Sequence, residues 1–279
     1  MTFIKTQDNI DLYIKDWGKG SLVILIHGWP LSADSWDAVA VDLVEAGHRV
    51  ITYDRRGFGR SDQPFTGYDY DTLADDLAAV INYALPTQPV GEKATLVGFS
   101  MGGGEVARYM FRYGGKGVGK TVLIASILPF LLHTQDNPTG IAQREFDQIG
   151  TALRSDRAHF FKGFFEKFFG VSILAPSVSA EYLMWMQSLA MQGGMKPTLA
   201  CLSAFSSTDF RPDLSAFTVP TLIIHGTDDA IVPIEVSAHL LVGKIPQAIL
   251  REYPGAAHGL FATEKQRLVQ DLLLFLRAD

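Results

Sequence analysis

Ala94-Thr95-Leu96-Val97-Gly98-Phe99-Ser100-Met101-Gly102-Gly103-Gly104 is the stretch on which the reading of this chain turns. Its first four residues are β-favouring and nearly all apolar, as suits a strand covered on both faces. Over 101–112 the apolar residues recur at helical spacing. Gly98 and Gly102 flank the serine, where a sharp turn leaves no room for Cβ atoms. A strand running into a helix through such a turn lifts the Ser100 hydroxyl above the sheet. It also sets that hydroxyl at a helix N-terminus, whose unpaired N–H groups and partial positive charge favour a developing anion. The pattern predicts a nucleophilic serine.

The alternation extends outward from this point. Residues 22–26, 50–53, 122–125 and 222–224 are further short apolar runs of strand type. Residues 71–85 place Leu73, Leu77, Val80, Ile81 and Ala84 on one helical face, and Pro86 ends them. Residues 264–276 read as another helix. Strand and helix in alternation predict an open, mostly parallel sheet between helices. Residues 3–5 and 12–16, separated by Asp8-Asn9, predict an antiparallel hairpin at the sheet edge. The alternation lapses between Ser126 and Asp213. There Phe160, Phe161, Phe164, Phe165, Phe168 and Phe169 fall at helical spacing and predict a helical cap. The expected organisation is a core of 1–125 and 214–279 with a cap of 126–213. No internal repeat or low-complexity segment interrupts it.

Composition narrows the function classes. The chain has 279 residues, 47% of them hydrophobic, and a net charge of −6. That length suits one large α/β domain. No Lys/Arg cluster offers the cation density that nucleic acid or an anionic membrane requires. A lone cysteine, Cys201, cannot form an internal disulfide, and its apolar surroundings predict a core residue. Residues 1–10 lack the basic start and apolar stretch of a secretory signal. The longest apolar stretch, 122–132, falls short of the ~20 residues a membrane span needs. A soluble cytoplasmic protein is the expectation.

A serine hydroxyl needs a base, and the base needs an orienting acid. In this strand–turn–helix setting acid and histidine follow the serine in the order Ser, Asp, His. Asp229, in His225-Gly226-Thr227-Asp228-Asp229-Ala230-Ile231-Val232-Pro233, and His258, in Ala257-His258-Gly259, meet that order. Both follow strand-like runs, where ligands bind in open α/β sheets. Asp228 is the competing acid, and the spacing from Gly226 and Val232 favours Asp229. His27 and His225 sit in strand-end His-Gly pairs and read as turn or hydrogen-bonding residues. His48, His133, His159 and His239 read as surface or cap residues. His27-Gly28-Trp29-Pro30 follows the strand at 22–26, so its Trp29 N–H is placed to join the Met101 N–H in an oxyanion hole. Two aimed donors meet the charge of a tetrahedral intermediate, and losing one typically costs ~3 kcal/mol. Asp54-Arg55-Arg56-Gly57-Phe58-Gly59-Arg60-Ser61-Asp62 lacks the Lys-Ser/Thr ending of a phosphate loop. It predicts a structural turn with internal Arg–Asp pairing. No His/Cys/Asp/Glu cluster has metal-ligand spacing, so neither metal nor cofactor is expected.

These motifs, with Thr208-Asp209-Phe210-Arg211-Pro212-Asp213, resemble those of the cofactor-free haloperoxidase and aryl-esterase group of α/β-hydrolases, which also includes γ-lactamases. The resemblance runs nearly end to end and implies the α/β-hydrolase fold. It implies hydrolysis of small aryl or alkyl esters through an acyl-serine, with hydrogen peroxide as an alternative acceptor to water. Pro30 fits the members that favour perhydrolysis, on the hypothesis that proline shifts the Trp29 carbonyl toward bound peroxide. By the same analogy Leu128, Phe164, Phe205, Ile231 and Ile234 line an apolar pocket with Trp29, and the chain assembles as a trimer or hexamer. An amide or γ-lactam hydrolase shares every one of these parts. A dehalogenase or epoxide hydrolase would want an aspartate where Ser100 stands. A ligand-binding protein on the same fold is the remaining alternative, against which the intact Ser, Asp, His order argues.

Overall fold

The computed structural model describes residues 1–172 and 176–277. Eight strands form one sheet: β1 (Thr2–Lys5), β2 (Asp11–Trp17), β3 (Leu22–Ile26), β4 (Arg49–Tyr53), β5 (Ala94–Phe99), β6 (Val118–Ile124), β7 (Thr221–Gly226) and β8 (Ala248–Tyr253). Their order is β1-β2-β4-β3-β5-β6-β7-β8. The β1–β2 and β2–β4 pairs are antiparallel and the rest are parallel. The hairpin expected from the sequence is therefore present, with β1 at the edge.

Helix α1 (Asp37–Glu45) joins β3 to β4, α2 (Tyr70–Ala84) joins β4 to β5, and α3 (Met101–Tyr113) joins β5 to β6. The strand order reverses direction at β3. Right-handed crossovers then put α1 on one face of the sheet and α2 with α3 on the other. The reversal opens a crevice beyond the C-terminal ends of β3 and β5, which is where such sheets bind ligands. His27-Gly28-Trp29 leaves β3 into that crevice and Ser100 leaves β5 into it. β3 and β5 are buried at every residue, which explains their unbroken apolar runs.

Helices α4 (Gln143–Phe168), α5 (Ala180–Gln192) and α6 (Met195–Ser207) lie between β6 and β7. Helices α7 (Ala238–Leu241), α8 (Leu260–Thr263) and α9 (Lys265–Arg277) complete the chain, with α9 packing against α1. No helix among the described residues is long and apolar enough to cross a membrane.

Several elements depart from the sequence expectations for identifiable reasons. Strand β6 begins at Val118, ahead of the apolar run, because half-buried Gly119 and Lys120 break the apolar signal without breaking the ladder. It ends before Ala125, whose φ of 44° is left-handed. Helix α4 is bent at Asp156 (φ −155°, ψ 92°), whose carboxylate accepts the His159 N–H at 2.9 Å and so caps the second half. His48, expected at the surface or in the cap, is buried and bonds Ser21 Oγ through Nδ1 at 2.7 Å.

The arginine loop differs as well. Only Arg60 pairs within it, bonding Asp54 at 2.8 Å. Arg55 pairs with Glu105 of α3, and Arg56 with Asp76 of α2 and with Asp8. Cys201 is fully buried in α6, and burial pushes its thiol up to about 12. Thiolate is scarce at neutral pH, so iodoacetamide should leave the folded protein unlabelled and react only on unfolding. Rapid stoichiometric labelling of the folded protein, read by intact mass, would contradict this placement.

Candidate active site

Ser100 sits at the junction of β5 and α3 with φ 52° and ψ −116°, a conformation that costs a non-glycine residue of order 1–3 kcal/mol. The surroundings hold it there. Its N–H donates to the Ile124 carbonyl at 2.8 Å, and its carbonyl accepts from Gly103 N at 3.0 Å. A Cβ on Gly98 would come within 2.6 Å of the Gly102 carbonyl, and one on Gly102 within 2.7 Å of the Ile26 carbonyl. Both glycines are there because strand and helix backbones touch. Met101 opens α3, so its N–H has no acceptor within the helix.

The β3 loop presses against this turn. Ile26 pairs with Gly98 across the sheet, and a Cβ on Gly28 would meet the Phe99 ring at 2.7 Å and Ser100 Cβ at 3.1 Å. The loop is locked from behind. The Arg55 N–H donates to His27 Nε2 at 3.0 Å, and His27 Nδ1 donates to the Gly28 carbonyl at 2.9 Å. Burial and the Arg55 charge push the His27 ring well below its usual pKa, so it stays neutral. The Arg55 guanidinium also donates to the His27 carbonyl at 2.6 Å and pairs with Glu105, which accepts from Tyr53 Oη at 2.6 Å. Arg55 and Glu105 are both fully buried, so removing either would strand the other's charge, at a cost of roughly 3–5 kcal/mol. The pair ties the Trp29 loop to α3 one turn beyond Met101.

Asp229 and His258 meet beyond the ends of β7 and β8. His258 Nδ1 donates to Asp229 Oδ2 at 2.6 Å. Asp229 Oδ1 accepts the N–H groups of Ile231 at 2.9 Å and Val232 at 2.8 Å. Burial opposes ionisation of Asp229, but the His258 charge and the bonds from His225 and His258 outweigh it, and the carboxyl is held well below its ordinary range. Asp228, the competing acid, is exposed and takes the Thr227 hydroxyl at 3.3 Å. The imidazole of His258 is clasped by Phe99 (centroids 5.0 Å) and Phe168 of α4 (4.7 Å). Phe99 precedes Ser100, so the ring lies beside the serine turn. Its Nε2 is buried without a hydrogen-bond partner.

Trp29 points its ring away from the turn, into the helices that follow β6. Its Nε1 donates to the Thr198 carbonyl of α6 at 3.0 Å, and Phe161, Phe164 and Phe205 meet it edge to face. Phe164 and Ile231 share the lining of a largely apolar cavity of about 550 Å³, together with Ile149, Phe160, Gly163 and Lys167. Of the other expected pocket residues, Phe205 touches Trp29, whereas Leu128 and Ile234 are buried and line none of the described cavities. Three features escape a sequence reading: the Phe99/Phe168 clasp, the Arg55–Glu105 tie, and the bond of His225 to Asp229. A glutamate directly after three small residues at a helix start was the only local sign of the second. Among the described residues no His/Cys/Asp/Glu group is arranged to hold a metal ion.

A strand–serine–helix turn at the crevice of a mostly parallel sheet, with an Asp–His pair beside it, defines the class. A profile of the α/β hydrolase fold matches residues 21–265, and the chain belongs to that family. It is 45% identical over 269 residues to a putative non-heme chloroperoxidase of Synechocystis, covering 96% of this chain and 95% of that one. It is 39% identical to a bifunctional esterase/perhydrolase of Acinetobacter calcoaceticus along the whole of both chains. Its structure superposes on bromoperoxidase from Bacillus anthracis with a TM-score of 0.94, at 43% identity and 99% coverage of each chain.

Proposed function

We propose that the protein hydrolyses small carboxylic esters by two-step acyl transfer through Ser100, and that hydrogen peroxide can replace water in the second step. The observation that carries this reading is the buried Asp229–His258 pair, whose imidazole, unpartnered at Nε2, packs against Phe99, the residue before Ser100. Ser100 Oγ attacks the ester carbonyl as His258 Nε2 takes its proton. Asp229 fixes the tautomer of the ring and stabilises its cation. The N–H groups of Met101 and Trp29 hold the oxyanion. The alcohol leaves with the proton from His258, and an acyl-serine remains. Water then yields the acid; peroxide yields a peracid, an oxidant that can turn halide into hypohalite without a metal or haem. The names of the relatives, chloroperoxidase and esterase/perhydrolase, describe these two outlets. In this reading 126–213 caps the site, and the cavity lined by Phe164 and Ile231 receives the apolar part of the substrate.

Phenyl acetate and p-nitrophenyl acetate test the proposal directly. Wild type should hydrolyse both, and peroxide should divert part of the acetyl flux to peracetic acid. Inertness toward both esters, with turnover of a γ-lactam, would move the reading to amide chemistry. If Pro30 biases the acceptor, as the resemblance implies, Pro30→Leu should lower the ratio of perhydrolysis to hydrolysis by severalfold while ester cleavage persists. An unchanged ratio would remove Pro30 from the account.

A further inference from the structure

The carboxylate of Asp229 is shared by a second histidine. His225, near the end of β7, is fully buried. Its Nε2 lies 2.8 Å from the Val232 carbonyl and 3.2 Å from Asp229 Oδ2. Both neighbours can only accept, so the ring carries its proton on Nε2. Its Nδ1 is buried with no hydrogen-bond partner. The ring thus presents a donor to the same Asp229 oxygen that His258 reaches.

We infer that His225 is a positioning residue that acts through Asp229, its Nε2–H orienting the carboxylate toward His258; this rests on the triad reading above. The geometry divides the carboxylate into two anchored ends. Oδ1 is fixed by the N–H groups of Ile231 and Val232, and Oδ2 is fixed between His258 and His225. The same Nε2 holds the Val232 carbonyl, so the 229–232 turn cannot open without breaking it. Removing the donor leaves Oδ2 with His258 alone. The carboxylate can then pivot about its Oδ1 anchor, and the charge that His225 had shared falls wholly on the His258 bond.

The ionisable groups that act on Asp229 are His258, from the loop after β8, and His225 itself. Glu252, the register partner of His225 on β8, is engaged by His239 at 3.0 Å. The exposed Asp228 is turned to the Thr227 hydroxyl. Any movement of the His258 titration on changing His225 therefore comes through Asp229.

Two substitutions separate donor from shape. His225→Gln keeps an N–H near the Nε2 position, whereas His225→Leu removes it. With p-nitrophenyl acetate, His225→Leu should lower kcat about 10- to 100-fold, the worth of one bond to a charged group. KM should stay within about threefold, because the substrate does not touch His225. The acidic limb of the kcat profile should move to higher pH, since the unshared carboxylate holds the His258 proton more tightly. His225→Gln should restore most of kcat and return the limb. An unmoved limb in His225→Leu, or equal impairment of the two variants, would overturn the inference.

Imidazole nitrogen NMR of the wild type needs no variant to fold. It should find the His225 proton on Nε2 and not on Nδ1. The opposite tautomer would overturn the inference. Failure of the triad reading shows itself separately, as ester turnover that survives Ser100→Ala, and leaves the His225 tautomer readable.

Discussion

Ser100→Ala is expected to lower kcat for p-nitrophenyl acetate by roughly 10⁴- to 10⁶-fold, with little change in KM. The size follows from the site. The serine backbone is held in a left-handed conformation by bonds to Ile124 and Gly103 that alanine also makes, so the turn survives the substitution. The apolar cavity and the flanking backbone donors are untouched. On the proposed mechanism substrate then binds without a nucleophile, and what remains is the acceleration that the proposed oxyanion hole and proximity lend to water. Circular dichroism and melting temperature should match the wild type, which separates this loss from unfolding. A residual activity within tenfold of wild type would exclude Ser100 as the nucleophile.

Asp229→Asn is expected to lower kcat roughly 10⁴-fold, about 5.5 kcal/mol of transition-state stabilisation. The backbone decides which way the amide faces. Ile231 and Val232 both donate N–H groups to the Oδ1 position, so the amide oxygen must sit there. That turns the NH₂ toward His258 Nδ1, which now has to accept. The proton moves to Nε2, and the ring no longer offers Ser100 a lone pair. Stability carries a second signature. A carboxyl held below its ordinary value in the fold contributes stability at pH above roughly 4, and the contribution is lost as pH falls through the lower folded value. The amide does not titrate, so the acid arm of a plot of unfolding free energy against pH should flatten. Urea titrations between about pH 3 and 7 read this out. An arm as steep as that of the wild type would contradict the buried carboxylate.

The parts of this molecule that were legible in the sequence are those whose physics is local. An apolar run covered on both faces marks β3 and β5, and the two glycines around Ser100 mark a turn without room for side chains. The order Ser100, Asp229, His258 is also a linear pattern. Which of two adjacent acids meets His258 depends on the turn after β7, which brings Asp229 to the ring at 2.6 Å. What stayed hidden is long-range pairing. The internal Arg–Asp pairing expected of the arginine loop holds for Arg60 and Asp54, but Arg55 pairs with Glu105, 50 residues away. His225 reads as a turn or hydrogen-bonding residue, and nothing in a His-Gly pair says that its ring will face a carboxylate four positions on. His48 lacks any motif, and its burial beside Ser21, 27 residues away, follows from the tertiary fold. The bend of α4 at Asp156 was masked by phenylalanines that keep helical spacing on one side of it.

The acyl-serine is the centre of the account, and it can be weighed. Wild type mixed with p-nitrophenyl acetate and quenched in acid within the first turnover should gain the mass of one acetyl group, which digestion should place on the peptide containing Ser100. The adduct should be absent from Ser100→Ala and should disappear faster when peroxide is added. An acetyl group on another residue, or steady turnover with no adduct at any quench time, would contradict acyl transfer through Ser100.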